Sequence, residues 1–474
     1  MQVAPRCSRT AAVARSLAVL AFVAVSVAAF PGIASGATSV SRLWTERYDG
    51  PAGGGDYAYD LVMSPDGSRV FVTGWSRGST KDDDYATNAY SASSGETLWV
   101  RRYDGPASYG DVAEAVDVSP DGSTVVVTGV STASGGGLDY LTLAYDAATG
   151  RRLWVHRYDG PAHRDDQPVA ISVSPAGTAV FVTGGSKGFS KRRDYATVSY
   201  ELATGDELWA TRFGRAGLAD GATSLGVSPD GAAVFVGGDS KRSTTGHDYA
   251  TVAFDASTGD RRWAARYDGG AGLNDFSTAL EVGADGAGVF VTGTALGPEG
   301  SESVTISYDA TSGAELWTTR DDAPGNHTAA WALSVSPDGA TIFVTGETGS
   351  PAPSAYRTVA FDASTGAELW SALYSGAEGA SDYASALAVS PDGSAVVVTG
   401  GSWGLDPPSD FATVAYDSAT GDELWVKHYN GPADGADRPA DVAVSPDGSS
   451  IFVTGGSKGP KSAYNYATVA YRQT

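Results

Sequence analysis

The chain is nearly without cysteine, and poor in histidine and in positive charge. Its one cysteine, Cys7, lies close to the N-terminus. That excludes a disulfide framework, a thiolate zinc site and an attached c-type haem in the body of the protein. The five histidines (His156, His163, His247, His327 and His428) fall at no zinc-ligating spacing. Lysine and arginine number 32 against 55 acidic residues, a formal net charge of -23. This balance opposes nucleic acid or an anionic lipid surface as the main partner. No nucleophile elbow, phosphate loop or dinucleotide fingerprint occurs, which removes the commonest signatures of hydrolases, nucleotide enzymes and nicotinamide enzymes. The body of the chain lacks any run that reads as a long amphipathic helix or a membrane span.

The N-terminus differs from the rest. Arg6, Arg9 and Arg15 precede an apolar run over residues 17–30, followed by Pro31-Gly32 and the small residues Ala34-Ser35-Gly36-Ala37. A basic head, a short apolar middle and a small-residue exit describe a secretory signal peptide. The run is short for a span. Residues 1–37 are therefore expected to be a cleaved leader, and 38–474 a secreted, extracellular or cell-envelope domain. No arginine pair marks a twin-arginine route, and no cysteine offers a lipid anchor.

What the body holds in abundance is repetition. Trp44, Trp99, Trp154, Trp209, Trp263, Trp317, Trp370 and Trp425 recur at about fifty-five residues, and a period of that length means a repeat architecture. One unit reads as four strands: 111–119, the run Val125-Val126-Val127-Thr128, 140–145 and 153–158. Ser119-Pro120-Asp121-Gly122 is a turn, with proline, aspartate and glycine each at a suitable position. The same marker returns at Ser64, Ser174, Ser228, Gly283, Ser336, Ser390 and Ser445. The second strand is apolar without alternation, which requires burial on both faces. Four antiparallel strands per unit and eight units predict an all-β, eight-bladed β-propeller. The last unit has three strands and no tryptophan strand, whereas 43–48 stands alone before the first full unit. Pairing the two would complete an eighth blade and remove the exposed edges.

The stretch Ala144–Trp154, of the form Ala-x-Asp-x-x-Thr-Gly-x-x-x-Trp, recurs well at 253–263, 360–370 and 415–425. It drifts at Ser91, Glu201, Ser199 and Ser307. It resembles the tryptophan-docking motif of the pyrroloquinoline quinone (PQQ) dehydrogenase propellers, over about residues 40 to 474. The resemblance implies the eight-bladed fold, with the motif fastening blades rather than binding cofactor. The alcohol-oxidising members of that family have an adjacent Cys-Cys disulfide and a calcium held by Glu, Asn and Asp. Cysteine is missing here, and that ligand set maps to no single place. Other members of the superfamily, such as the outer-membrane assembly propeller, are binding scaffolds.

Two carboxylate series repeat on the end of the propeller that carries the loops between second and third strands and between blades. Asp56, Asp111, Asp166, Asp220, Asp275, Asp382 and Asp437 open the first strands, and Asn326-His327-Thr328 breaks the series. Near-perfect repetition favours a loop-capping role. A cation-binding ring at the channel mouth, for which calcium is the suited ion, is the other reading. Asp84, Asp139, Asp194, Asp248 and Asp410 open third strands, with Asn465 in the eighth unit, and again read as caps. Departures from the repeat are better guides to function. Trp75, Trp331 and Trp403 lie outside the motif. Trp75 and Trp403 follow the end of a second strand in the first and seventh units, where exposed aromatics suit a sugar or a partner surface. Lys187, Lys191, Arg192 and Arg193 in the third unit, with Lys241, Arg242 and His247 in the fourth, form a basic corner suited to an acidic partner.

These residues lead to the expectation of a monomeric, secreted, non-catalytic propeller that binds a protein or glycan through its loop face, with no required cofactor. The alternative is a PQQ- and calcium-dependent oxidoreductase of alcohols or sugars. A hydrolase or lyase using the mouth carboxylates is a third reading.

Overall fold

A computed structural model describes residues 39–473, apart from 79–81, 108, 190–191, 215–217, 242–245, 271, 299, 322–326, 350–352, 377–379, 405–408 and 461–462. Residues 1–37, the expected leader, lie outside the described residues. The described residues form thirty-two strands in eight four-stranded antiparallel sheets. Blades 1 to 7 occupy 56–103, 112–158, 166–213, 220–267, 275–321, 328–374 and 382–429. Blade 8 takes three strands from 437–473 and its outermost strand from Val40–Tyr48. The closing pair runs in register from Val40 opposite Gln473 to Tyr48 opposite Tyr466. The expected eight-bladed ring is thus the one observed, with strand ends displaced by up to a few residues from the sequence reading.

Strands are counted outward from the channel, since the first strands of neighbouring blades contact one another. Second strands are buried on both sides: Val70, Phe71 and Val72 are inaccessible, because each sheet is packed between two others. The apolar clusters accordingly span blade boundaries. One joins Phe71, Ala89 and Trp99 of blade 1 to Val125, Val127 and Leu143 of blade 2.

The repeated tryptophan secures these boundaries. The Trp99 indole N–H donates to Ala147 O of the next blade at 3.0 Å, and Trp154 to Leu202 O at 2.8 Å. Gly150 has φ 67°, and a Cβ there would come within 2.7 Å of Trp99. Glycine is required both for the positive φ and for the indole. A β-bulge before each tryptophan, at Leu98 in blade 1, turns the leucine outward and the indole inward. Leu98, Leu208, Leu316 and Leu369 are exposed as a result.

A second set of bulges, in the first strands, was not legible in the sequence. Pairing skips Tyr59, Glu114, Val169, Thr223, Thr278, Trp331, Ser385 and Ala440. All but Ala440 are half-exposed. Each blade therefore re-aims one residue on the wall of the channel. Trp331, outside the docking motif, is one of them.

Candidate functional site

The two ends of the propeller are built differently. One carries only tight turns of the Ser119-Pro120-Asp121-Gly122 and Asp146–Gly150 kinds. There the Ser119 hydroxyl donates to Asp121 Oδ1 at 2.5 Å and Thr149 N–H to Asp146 Oδ1 at 2.9 Å. The other carries the loops between blades and between second and third strands, whose sequences vary. Variation is confined to that loop face, which makes it the candidate site.

The seven first-strand aspartates stand at this face and are buried. Gly50 N–H donates to Asp56 Oδ2 at 3.0 Å. In blade 3, Asp166 accepts Gly160 N–H at 2.6 Å and Lys187 N–H at 3.1 Å. Asp275, Asp382 and Asp437 accept two backbone N–H groups in the same way. Asp111 does so with Gly105 and Thr132. Asp220 accepts the Ser240 hydroxyl. Asp111, Asp166, Asp275, Asp382 and Asp437 thus each tie the loop entering the blade to the end of its second strand. Where Thr328 breaks the series, its hydroxyl donates to Asp321 O and accepts Ser303 N–H, both at 2.8 Å.

The blade boundaries, rather than the ring as a whole, bring carboxylates together. Asp139, Asp159 and Asp166 place one oxygen each within 4.8 Å of the others, and Asp248, Asp268 and Asp275 repeat the arrangement two blades on. Burial, with repulsion from Asp268 and Asp248, pushes the Asp275 carboxyl up to about 6. Such oxygen groups can contribute to a hard-cation site. At the first cluster Arg157 already lies 3.0 Å from Asp139. Fourth-strand arginines meet the equivalent acids in other blades: Arg102 with Asp84 at 2.6 Å, Arg212 with Asp194 at 2.9 Å and Arg320 with Glu302 at 3.0 Å. In blade 7 the arginine position holds His428, whose ring nitrogen meets Tyr374 Oη at 3.1 Å. Burial pushes Asp410 up to about 6 there, aided by Asp437 and Asp434.

The basic corner is partly neutralised. Lys187 pairs with Asp165 at 2.5 Å, Arg193 donates to Gln167 at 2.5 Å, and His247 meets Asp239 at 2.5 Å. Arg192 is exposed and Lys241 half-buried. Lys191 and Arg242 lie outside the described residues. The two loop-face tryptophans occupy different settings. Trp403 is 38% exposed. Trp75 is half-buried, and its indole N–H donates to Tyr59 Oη at 3.1 Å.

Trp75 belongs to a cluster between blades 8 and 1. The Tyr57 ring lies 5.3 Å from Tyr59 and 5.8 Å from Tyr464, and its hydroxyl donates to Arg438 O at 3.2 Å. Gly456 makes room for it, since a Cβ there would stand 2.3 Å from the ring. Arg438 and Lys458 hold their charges 5.6 and 5.8 Å from the Tyr464 ring centre. Beside this corner a shallow depression is lined by Asp49, Gly53, Gly459, Pro460, Ala463 and Asn465. Sequence reasoning found Trp75 and missed the rest. The available signal was the pair Tyr57 and Tyr59, where no other unit carries two aromatics, and Arg438, where none carries a cation.

A ring of antiparallel four-stranded blades with a turn face and a varied loop face defines the class of β-propellers. The family described as outer membrane protein assembly factor BamB matches residues 34–274 and 249–468, and the chain belongs to it. No curated protein matches. Among solved structures, quinohemoprotein alcohol dehydrogenase from Comamonas testosteroni is similar at 14% identity, over 91% of this chain and 76% of that one, with a TM-score of 0.59. BamB from Moraxella catarrhalis is similar at 14% identity, over 92% and 100%, with a TM-score of 0.50. Sqt1 from Chaetomium thermophilum, bound to the N-terminus of a ribosomal protein, is similar at 14% identity, over 90% and 98%, with a TM-score of 0.57. These likenesses concern the fold.

Proposed function

We propose that the chain is an exported, non-catalytic propeller that binds a partner through its loop face. The observation that carries this reading is the division of labour among the side chains. The repeated aspartates are used as loop caps, while aromatic and cationic side chains that differ from blade to blade are left at the surface of the same face. BamB and Sqt1 have the same fold, and the Sqt1 structure is of a complex with a protein segment.

The fold family also raises PQQ with calcium. PQQ is a planar tricarboxylate, so a site for it needs cations or several N–H donors around a flat slot. The re-aimed residues of the channel wall are Tyr59, Glu114, Val169, Thr223, Thr278, Trp331, Ser385 and Ala440. They include two aromatics, Tyr59 and Trp331, and one carboxylate, Glu114, but no cation. That donor set does not fit the quinone, and no reaction step is derived through it.

The test has two arms. With added PQQ and calcium, dye-linked oxidation of alcohols and sugars is expected to stay at background; turnover would overturn the reading. The second arm screens arrayed glycans and envelope proteins for saturable binding. Trp403→Ala or Tyr57→Ala is expected to reduce that binding, and Ser123→Lys on the turn face to leave it unchanged. Equal loss from both faces would count against a loop-face site.

A further inference from the structure

The corner between blades 8 and 1 has a chemistry of its own. Arg438, Lys458 and Tyr464 lie on one face of blade 8, because Lys458 pairs opposite Tyr464, and Arg438 opposite Gly456, two residues before Lys458. The neighbouring blade supplies Tyr57, Tyr59 and Trp75. Arg438 is exposed and the others are half-buried. Among the described residues neither Arg438 nor Lys458 forms an ion pair. Elsewhere at this face several cations are matched to carboxylates, as Lys187 is to Asp165 and Arg77 to Asp83. The acid nearest in the chain, Asp437, is buried and occupied by the N–H groups of Gly431 and Lys458.

We propose that this corner is a binding site for an acidic sugar, a uronate-bearing glycan. The tyrosine rings and Trp75 offer aromatic faces to a pyranose ring, and Arg438 and Lys458 take the carboxylate. Aromatic faces with hydroxyl edges suit a ligand that is apolar on its ring face and polar at its rim. Guanidinium and ammonium bind carboxylates by charge-assisted hydrogen bonds. No other blade has a cation at the Arg438 position, and no other has two aromatics at the positions of Tyr57 and Tyr59. At the Arg438 position the other blades have Tyr57, Val112, Gln167, Gly221, Phe276, Ala329 and Tyr383. The remaining protein is acidic and repels an anion at long range, so recognition must come from these two cations at short range.

This inference rests on the loop-face reading, and it can fail alone. The full chain is titrated calorimetrically with tetragalacturonate, free galacturonate, maltotetraose and tetraglutamate. Saturable binding of tetragalacturonate is expected, weakened by added salt. Maltotetraose should bind about tenfold more weakly or not at all, as for loss of a charged hydrogen bond. Arg438→Ala and Lys458→Ala should each weaken tetragalacturonate by about tenfold, and Tyr464→Ala should do so as well. Arg192→Ala, on the distant basic loop, should not. Free galacturonate binding as tightly as the tetramer would make the ligand a monosaccharide acid rather than a glycan and overturn the polymer assignment. Equal affinity for maltotetraose, equal affinity for tetraglutamate, or no binding of either uronate would overturn the site. Thermal midpoints of each variant, with Arg438→Gln as a milder change, separate loss of the ligand from loss of the fold. A failed titration alongside intact binding elsewhere on the loop face refutes the sugar site and leaves the broader function standing.

Discussion

At the scale of single residues, the departures from the repeat compensate one another. In seven of the eight blades the last residue of the fourth strand is aromatic and packs against an aromatic of its own blade's third strand, as Tyr103 does against Tyr85. Blade 5 has Asp321 there, and blade 6 answers with Arg357. Arg357 Nη2 lies 2.9 Å from Asp321 Oδ1, and Nε donates to Oδ2. Both side chains are largely buried. Removing one partner strands a charge at the boundary. Arg357→Ala is expected to cost about 2–3 kcal/mol in denaturant unfolding. Combining it with Asp321→Tyr, which removes the stranded charge and returns an aromatic to this position, should recover much of that loss. A double variant no more stable than the single one would show that the ion pair is not what fills this position.

At the scale of the strand, bulges decide what the channel and the rim display. A bulge is a property of pairing, since two residues on one strand oppose one on its partner, so a single strand's sequence does not announce it. The outer bulge had a marker, the Leu-Trp dipeptide. The inner one had none, and with it went Glu114 and the meaning of Trp331. Desolvation at the channel wall raises the Glu114 carboxyl from 4.5 to about 7, although the side chain keeps part of its surface open to the channel. Its folded value lies above its unfolded one, so its contribution to stability is full below about pH 4.5 and is lost as pH rises through about 7. The thermal midpoint is expected to rise as pH falls from 7.5 to 5.5. Glu114→Gln should flatten that slope and stabilise the protein at pH 7.5, by roughly 1–3 kcal/mol at most. An unchanged slope would place the titration on other groups, with Asp275 and Asp410 next to test by the same substitution to asparagine.

At the scale of the whole molecule, closure depends on the strand Val40–Tyr48 completing blade 8. Its Trp44 donates to Ala92 O of blade 1 at 2.8 Å and packs on Gly95, so one residue joins the N-terminal strand to the first full blade across the seam. Trp425 lacks such an acceptor among the described residues. Trp44→Ala is expected to cost about 3–5 kcal/mol, and to release an edge that pairs between molecules. Light scattering should then report oligomers on mild heating. A variant that stays monomeric while losing stability would show that the strand holds without its indole.

The sequence by itself determined the ring: the period, the turn residues, the doubly buried second strand and the split last blade all express local rules repeated eight times. It also identified the aspartate series and left capping and cation binding both open. Only the tertiary structure showed most of the ring carboxylates bonded to their own loops, the acidic clusters gathered across blade boundaries, and Trp75 set into a wall with Tyr57, Tyr59 and Tyr464 while Trp403 stands exposed. The reason is physical. Turn chemistry and strand patterning act between residues near in the chain, whereas the loop-face surfaces join residues from neighbouring blades. Those are up to some four hundred positions apart in the case of Tyr57 and Tyr464.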